Sequence, residues 1–199
     1  FANFQARLEQ DYEAAKSFKV NKADWLEGKW QGLVQLAEEE EFHEEKTGVS
    51  ADILKEVGHA LASTPEGFNV NRKIVRQLAA KKEMVDKGEG IDWATAEALA
   101  FGTLLVEGNP VRLSGQDCGR GTFSQRHCRL TDQETEERFE PLNHIRPGNQ
   151  AFFEVMDSPL SEEAVLGFEY GYSQAEPNTL TIWEGQFGDF ANGAQVVID

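Results

Sequence analysis

The stretch Gly88-Glu89-Gly90-Ile91-Asp92-Trp93-Ala94-Thr95-Ala96-Glu97-Ala98-Leu99-Ala100-Phe101-Gly102, continued through Gly108-Asn109-Pro110 to Val111-Arg112-Leu113-Ser114, decides the fold. Asp92 stands as an N-cap before a helix from Trp93 to Glu107, and Gly108-Asn109-Pro110 ends it. Val111–Ser114 then reads as a short strand. Upstream, the pattern is helical throughout. Phe4, Leu8, Tyr12 and Ala15 recur at helical spacing over residues 3–19, Asn21-Lys22-Ala23-Asp24-Trp25-Leu26 reads as a turn and cap region, and residues 50–62 and 70–86 form two further helices broken by Thr64-Pro65-Glu66-Gly67. Downstream, the pattern alternates. Residues 151–156 read as a strand, Ser158-Pro159-Leu160-Ser161 leads into a helix from about Glu162 to Ala175, Thr179–Trp183 is a strand, and a last helix begins near Gly188 or Asp189. Helix, strand, helix, strand, helix in this order predicts an α/β fold, a mostly parallel sheet covered by helices. The boundary falls at Lys87-Gly88-Glu89-Gly90, with a helical region over 1–87 and the α/β region over 88–199. Residues 115–150 read as one long, polar, irregular loop, and a loop of that length is usually functional or disordered.

Composition narrows the class. Of 199 residues, 40% are hydrophobic, which is enough to build a core. Lys and Arg number 19 against 35 Asp and Glu, and the formal charge of −16 repels a polyanion, so no nucleic-acid partner is expected. No apolar run approaches the ~20 residues of a membrane helix. No charged segment followed by an apolar one opens the chain, so no secretion signal is expected. Cys118 and Cys128 are the only cysteines, which points to a reducing compartment rather than a disulfide framework. The chain starts at Phe1 and stops at Asp199 inside an apolar pattern, so it reads as a piece of a longer protein.

Open α/β sheets bind ligands beyond the carboxyl ends of their strands. Three segments occupy such ends: Ser114-Gly115-Gln116-Asp117, Asp157 to Glu163, and Glu184 to Phe190. Glu162 and Glu163 open a helix, where acids favour the dipole; the functional alternative is a carboxyl group facing a pocket. Gly167 and Gly171, four apart, allow ordinary helix–sheet packing or a tight subunit contact. Phe187 and Phe190 are core residues or a platform for an aromatic ring. Arg112, Arg120, Arg126 and Arg129 face only Asp117 in residues 112–129, with His127 among them. This basic island binds a small anion, or its arginines pair with acids such as Asp132, Glu134, Glu136 and Glu137. Cys118, His127 and Cys128 lack zinc-ligand spacing, and no phosphate-binding loop or nucleophile elbow occurs. The acidic run Glu38 to Glu41 with Glu44 and Glu45 reads as a solvated face, or as a docking patch for a basic partner.

Several motifs together resemble one family. They are Asn21–Leu26, Gly88–Gly102, Arg112-Leu113-Ser114-Gly115-Gln116-Asp117 with Arg120–His127, Leu160-Ser161-Glu162 with Gly167-Phe168-Glu169-Tyr170-Gly171-Tyr172, and Trp183-Glu184 with Gln186–Gln195. In that order and over essentially the whole chain they resemble the E1 component of the 2-oxoglutarate dehydrogenase complex. The resemblance implies a thiamine diphosphate enzyme that decarboxylates 2-oxoglutarate in the citric acid cycle and passes the succinyl group to the lipoyl arm of E2, dihydrolipoyl succinyltransferase, with E3 in the same complex. It implies a homodimer, cytoplasmic in a bacterium or in the mitochondrial matrix of a eukaryote. It further implies that residues 1–87 are a helical linker after a diphosphate-binding domain, and that 88–199 open a transketolase-like pyrimidine-binding domain. Glu162 matches the family's glutamate beside the aminopyrimidine ring, Gln116 a cofactor-contacting glutamine, and Phe187 the phenylalanine stacked on the pyrimidine, with Phe190 three residues on. Arg126 and His127 remain substrate or loop candidates. The family's Gly-Asp-Gly…Asn motif for diphosphate and Mg2+ does not occur, and Gly188-Asp189-Phe190 is not that motif, so no metal ligand is assigned here. The alternatives are an E1 acting on 2-oxoadipate and a non-catalytic, partner-binding chain.

Overall fold

The structure, a computed structural model, describes residues 2–19, 28–33 and 46–198. The turn expected at Asn21–Leu26 and the acidic run from Glu38 to Glu45 lie outside the described residues. The chain forms two units, Phe1–Phe42 and His43–Asp199. The first holds helix α1, Ala2–Ala15, and a 3-10 turn over Gly28–Trp30.

In the second unit the four longer helices each start where a side chain accepts an orphan amide. Ser50 caps α2 (Ala51–Leu61), and Asn71 caps α3 (Arg72–Lys87), which Gly88 closes with φ +70°. Asp92 caps α4 (Trp93–Val106) by accepting the Thr95 N–H at 2.7 Å, as its sequence predicts. Three parallel strands follow, β1 (Val111–Gly115), β4 (Phe153–Asp157) and β5 (Leu180–Glu184), in the order β4-β1-β5. Helix α5, Glu162–Ala175, connects β4 to β5. This is the α/β architecture the alternation predicts.

The two faces of central β1 bury different chemistry. Val111 and Leu113 join Phe153 and Val155 against Phe101 and Leu105 of α4, with the Phe101 and Phe153 rings 5.9 Å apart. Arg112 faces α5 instead. It donates to both Glu169 oxygens at 2.7 and 2.8 Å and pairs with Glu154 of β4 at 2.5 Å. The rings of Phe168 and Tyr172 lie over its guanidinium, 5.4 and 4.7 Å from their centroids.

Three features go beyond the sequence reading or differ from it. First, α2 and α3 share the sheet's core, through Val57, Leu61 and Val85. Gly58 allows this: a Cβ there would sit 2.5 Å from Val85. Second, residues 115–150 are packed rather than loose. Leu130 and Leu142 are buried, and the stretch contains a small antiparallel pair, β2 (Leu130–Thr131) with β3 (Arg138–Phe139), and a 3-10 turn at Pro141–His144. The stretch also closes the outer edge of β4. The Asn143 amide bonds both the N–H and the C=O of Phe153, and Arg129 donates to the Val155 carbonyl at 2.6 Å. Third, no α-helix starts at Gly188 or Asp189. Gly188 has φ +101°, a 3-10 turn covers Asp189–Ala191, and α6 begins at Gln195 and runs to Ile198. The Asp189 carboxylate accepts the Gln186 N–H at 2.6 Å and so closes a turn where the helix was expected.

Glu169 is 3% exposed, so removing its cation strands a buried charge. Arg112→Met should therefore cost about 3–5 kcal/mol in urea unfolding, whereas Glu154→Gln, at the more exposed pair, should cost about 1 kcal/mol or less.

Candidate functional site

The register of the sheet sets the site. Gly115 pairs with Asp157 on one side and Glu184 on the other, so all three strands end level. Gly115 has φ +154°, and a Cβ there would lie 2.5 Å from the Glu184 carbonyl oxygen, so glycine is required where the strand turns into Gln116.

The segments after β1 and β5 are tied together. Gln116 is exposed, and its carbonyl accepts the Gln186 side-chain amide at 3.1 Å. The Gln186 Oε1 accepts the Thr122 hydroxyl at 2.9 Å. Phe187, the next residue, is wholly exposed. Phe190 is 62% exposed and sits edge-on to Trp183, with centroids 6.2 Å apart. Of the two rings, Phe187 is the more exposed.

After β4, Ser161 caps α5 by accepting the Ala164 N–H at 3.4 Å, and this fixes Glu162 at the first helical position. The two adjacent glutamates then part company. Glu163 is exposed, and Glu162 is half-buried, its Oε1 accepting the Gly193 N–H at 3.1 Å. A Cβ on Gly193 would stand 2.9 Å from that oxygen. The Ser114 hydroxyl, on the β1 face that meets α5, is completely buried and has no hydrogen-bond partner among the described residues.

The four arginines of the basic island all have acidic partners, and none of these is Asp132, Glu134, Glu136 or Glu137. Arg112 meets Glu169 and Glu154, and Arg120 meets Asp117. Arg129 meets Glu140 at 2.7 Å and Asp157 at 3.6 Å. Arg126, 5% exposed, is turned inward between Glu97 and Glu184 and donates to the Cys118 carbonyl at 2.6 Å. All three guanidinium nitrogens are engaged by these groups. His127 is half-buried beside it, and burial with the nearby Lys81 charge holds its imidazole below the ordinary range, so it is neutral at pH 7. Asp132 is buried and accepts the Glu134 and Thr135 N–H groups, which fold its own loop, and the Asn69 N–H, which ties that loop to the segment before α3.

With the geometry in place, kinship can be assigned. The sequence profile described as "Transketolase, pyrimidine binding domain" matches residues 89–199. The chain belongs to that family. The pyrimidine-binding domain is also similar, together with the residues before it, to proteins named 2-oxoglutarate dehydrogenase E1 component. Those of Brucella canis, Brucella anthropi and Brucella ovis are each 56% identical over 198 residues, 100% of this chain and 20% of the relative. The chain thus spans about a fifth of the length of these relatives.

Sequence reasoning placed Gln116, Glu162 and Phe187 at strand ends of this domain, and that is where they lie. It passed over Gln186, Gly193 and Glu97. No local pattern marks Glu97, whose partner Arg126 is 29 residues away. Cys118 and Cys128 are buried, and burial with nearby acids, Asp157 first, pushes the Cys118 thiol up to about 12. Burial pushes Cys128 likewise up to about 12. Both thiols are therefore protonated at pH 8 in the folded state, so iodoacetamide at pH 8 should leave both unmodified and label both in urea. Because their folded pKa values are raised, any stability they confer is present below pH 9 and is lost as the pH climbs toward 12. Labelling of either cysteine in the folded protein would contradict their burial.

Proposed function

We propose that this chain is part of a thiamine diphosphate-dependent E1 subunit that decarboxylates 2-oxoglutarate and transfers the succinyl group to the lipoyl arm of E2, within a complex that also contains E3. The observation that carries the proposal is the Glu162 carboxylate, held half-buried at a strand end of a pyrimidine-binding domain by the Gly193 N–H, while the neighbouring Glu163 faces solvent. The identity to E1 relatives supports the substrate assignment. Residues 88–199 are read as the pyrimidine-binding domain and 1–87 as the helical segment before it. The Mg2+ and diphosphate ligands are assigned to other parts of the subunit, which works in the cytoplasm of a bacterium or the mitochondrial matrix of a eukaryote. Among the described residues no helix is long and apolar enough to cross a membrane.

The residues present fit an aminopyrimidine ring. Phe187 offers a flat, uncovered face, Glu162 a carboxylate, and the buried Ser114 hydroxyl an unused hydrogen-bonding group on the same side of the sheet as α5. When bound, the cofactor would supply an acidic ring carbon as nucleophile and a cationic ring as the sink for the electron pair left by departing carbon dioxide. The chain's own contribution is protonic and geometric. The Gly193 N–H fixes Glu162 Oε1, which leaves Oε2 to hold or release a proton toward a ring nitrogen. Phe187 orients the ring by stacking, and Gln116 lines the same end of β1. Homodimerisation is read from the α5 face that carries Gly167 and Gly171. Both are exposed, with no atom within 4 Å of where a Cβ would sit, so packing within the described chain does not account for them.

Two experiments test the assignment. In the full-length subunit Glu162→Gln should lower turnover of 2-oxoglutarate by about 10²–10⁴-fold while the protein stays folded. Glu163→Gln should leave turnover near normal and cost about 1 kcal/mol or less of stability through the helix dipole. A dead Glu163→Gln beside a mild Glu162→Gln would move the role to Glu163, and faster turnover of 2-oxoadipate than of 2-oxoglutarate would select the longer diacid. The 199-residue chain alone should show no activity and bind thiamine diphosphate weakly or not at all in calorimetry. Micromolar, magnesium-dependent binding would contradict the assignment of the diphosphate ligands elsewhere.

A further inference from the structure

We propose that Glu184, gripped by the buried Arg126, is a positioning residue that sets the Phe187 turn; the inference rests on the reading of the site given above. Glu184 is the last residue of β5 and stands three residues before Phe187. Both terminal nitrogens of Arg126 donate to its carboxylate, Nη1 to Oε1 at 3.0 Å and Nη2 to Oε2. The same guanidinium donates from Nε and Nη2 to Glu97 of α4, at 2.6 and 3.1 Å, and from Nη1 to the Cys118 carbonyl at 2.6 Å. The Arg126 backbone is fixed in turn, because its carbonyl accepts the buried Lys81 ammonium from α3 at 3.0 Å. One planar fork therefore locks α4, the loop after β1 and the end of β5 into a single geometry. Across the same gap Gln186 bonds the Gln116 carbonyl and the Thr122 hydroxyl. The Phe187 turn is thus held at its root by a charged clamp and at its tip by an amide. A ring that must stack face to face is bound more tightly when its platform is ordered in advance, since the ordering cost is not charged to binding.

The network contains its own control. Glu97 and Glu184 share one guanidinium and are buried to a similar degree, their side chains 24% and 22% exposed. Glu97, however, lies within α4 and leads to no site residue, whereas Glu184 leads straight into the Phe187 turn. Replacing either with glutamine removes the same charge from the same cation. In the full-length protein Glu184→Gln and Glu97→Gln should lose similar stability in urea unfolding without cofactor. In calorimetry with thiamine diphosphate at fixed magnesium, Glu184→Gln should bind about tenfold or more weakly, while Glu97→Gln stays within about twofold of the unsubstituted protein. Glu184→Asp, which keeps the charge and withdraws it by one methylene, provides a folded variant and should also weaken binding. Equal affinity losses in the two glutamine variants, or unchanged affinity in Glu184→Asp, would overturn the positioning role. If the unsubstituted protein binds no thiamine diphosphate, the functional reading fails and the positioning role with it; if it binds and the variants do not differ, only the positioning role fails.

Discussion

A guanidinium with 5% exposure cannot remain charged in a protein interior without compensation, and Arg126 meets that constraint with two carboxylates and a carbonyl. The compensation dictates much of the second unit. It requires α4 to present Glu97, β5 to end on a glutamate, and the loop after β1 to bring the Cys118 carbonyl inward. Neighbouring groups then feel a crowded, poorly solvated environment, which accounts for a neutral His127 and for thiols held far above their ordinary range. The same logic governs the opposite face, where Arg112 is sandwiched by Glu169, Glu154 and two aromatic rings. In a chain of net charge −16, a cluster of cations is satisfied from within before it can serve an external anion.

The level strand ends convert this packing into a site. Parallel pairing in register places Gly115, Asp157 and Glu184 side by side, and each leads into a different chemical group. β1 leads to Gln116, β4 through the Ser161 cap to Glu162, and β5 to Phe187. The cap matters because it fixes the helical phase. Successive side chains on a helix point about 100° apart, so a single hydroxyl decides which of two adjacent carboxylates is drawn against Gly193 and which is left in water.

Much of this was legible in local sequence. Asp92, Ser161 and Gly108-Asn109-Pro110 announce helix ends, because a cap bonds its own first turn. The strands read as short apolar runs, and their alternation with helices predicted a parallel sheet. Strand order was not legible, nor were the arginine partners, because both depend on residues brought together from far along the chain, as with Arg112 and Glu169, 57 apart. The stretch 115–150 looked loose because its order comes from side chains such as Asp132 and Asn143 bonding backbone groups, and such bonds leave no periodicity. The last α-helix was expected too early because the turn before it is held by the Asp189 carboxylate accepting the Gln186 N–H, a bond that leaves no periodicity. The role of Glu162 in chemistry rested on family resemblance, since composition and spacing alone left it as one of two acids in a first turn.

On the proposed reading Glu162, and not Glu163, meets the pyrimidine ring. An experimental structure of the full-length protein with thiamine diphosphate and magnesium bound tests this. The expected result is a Glu162 carboxylate oxygen within about 2.6–3.2 Å of a ring nitrogen, with Phe187 against the ring face. A ring bound with Glu162 out of hydrogen-bond reach, or with Glu163 in its place, would contradict it.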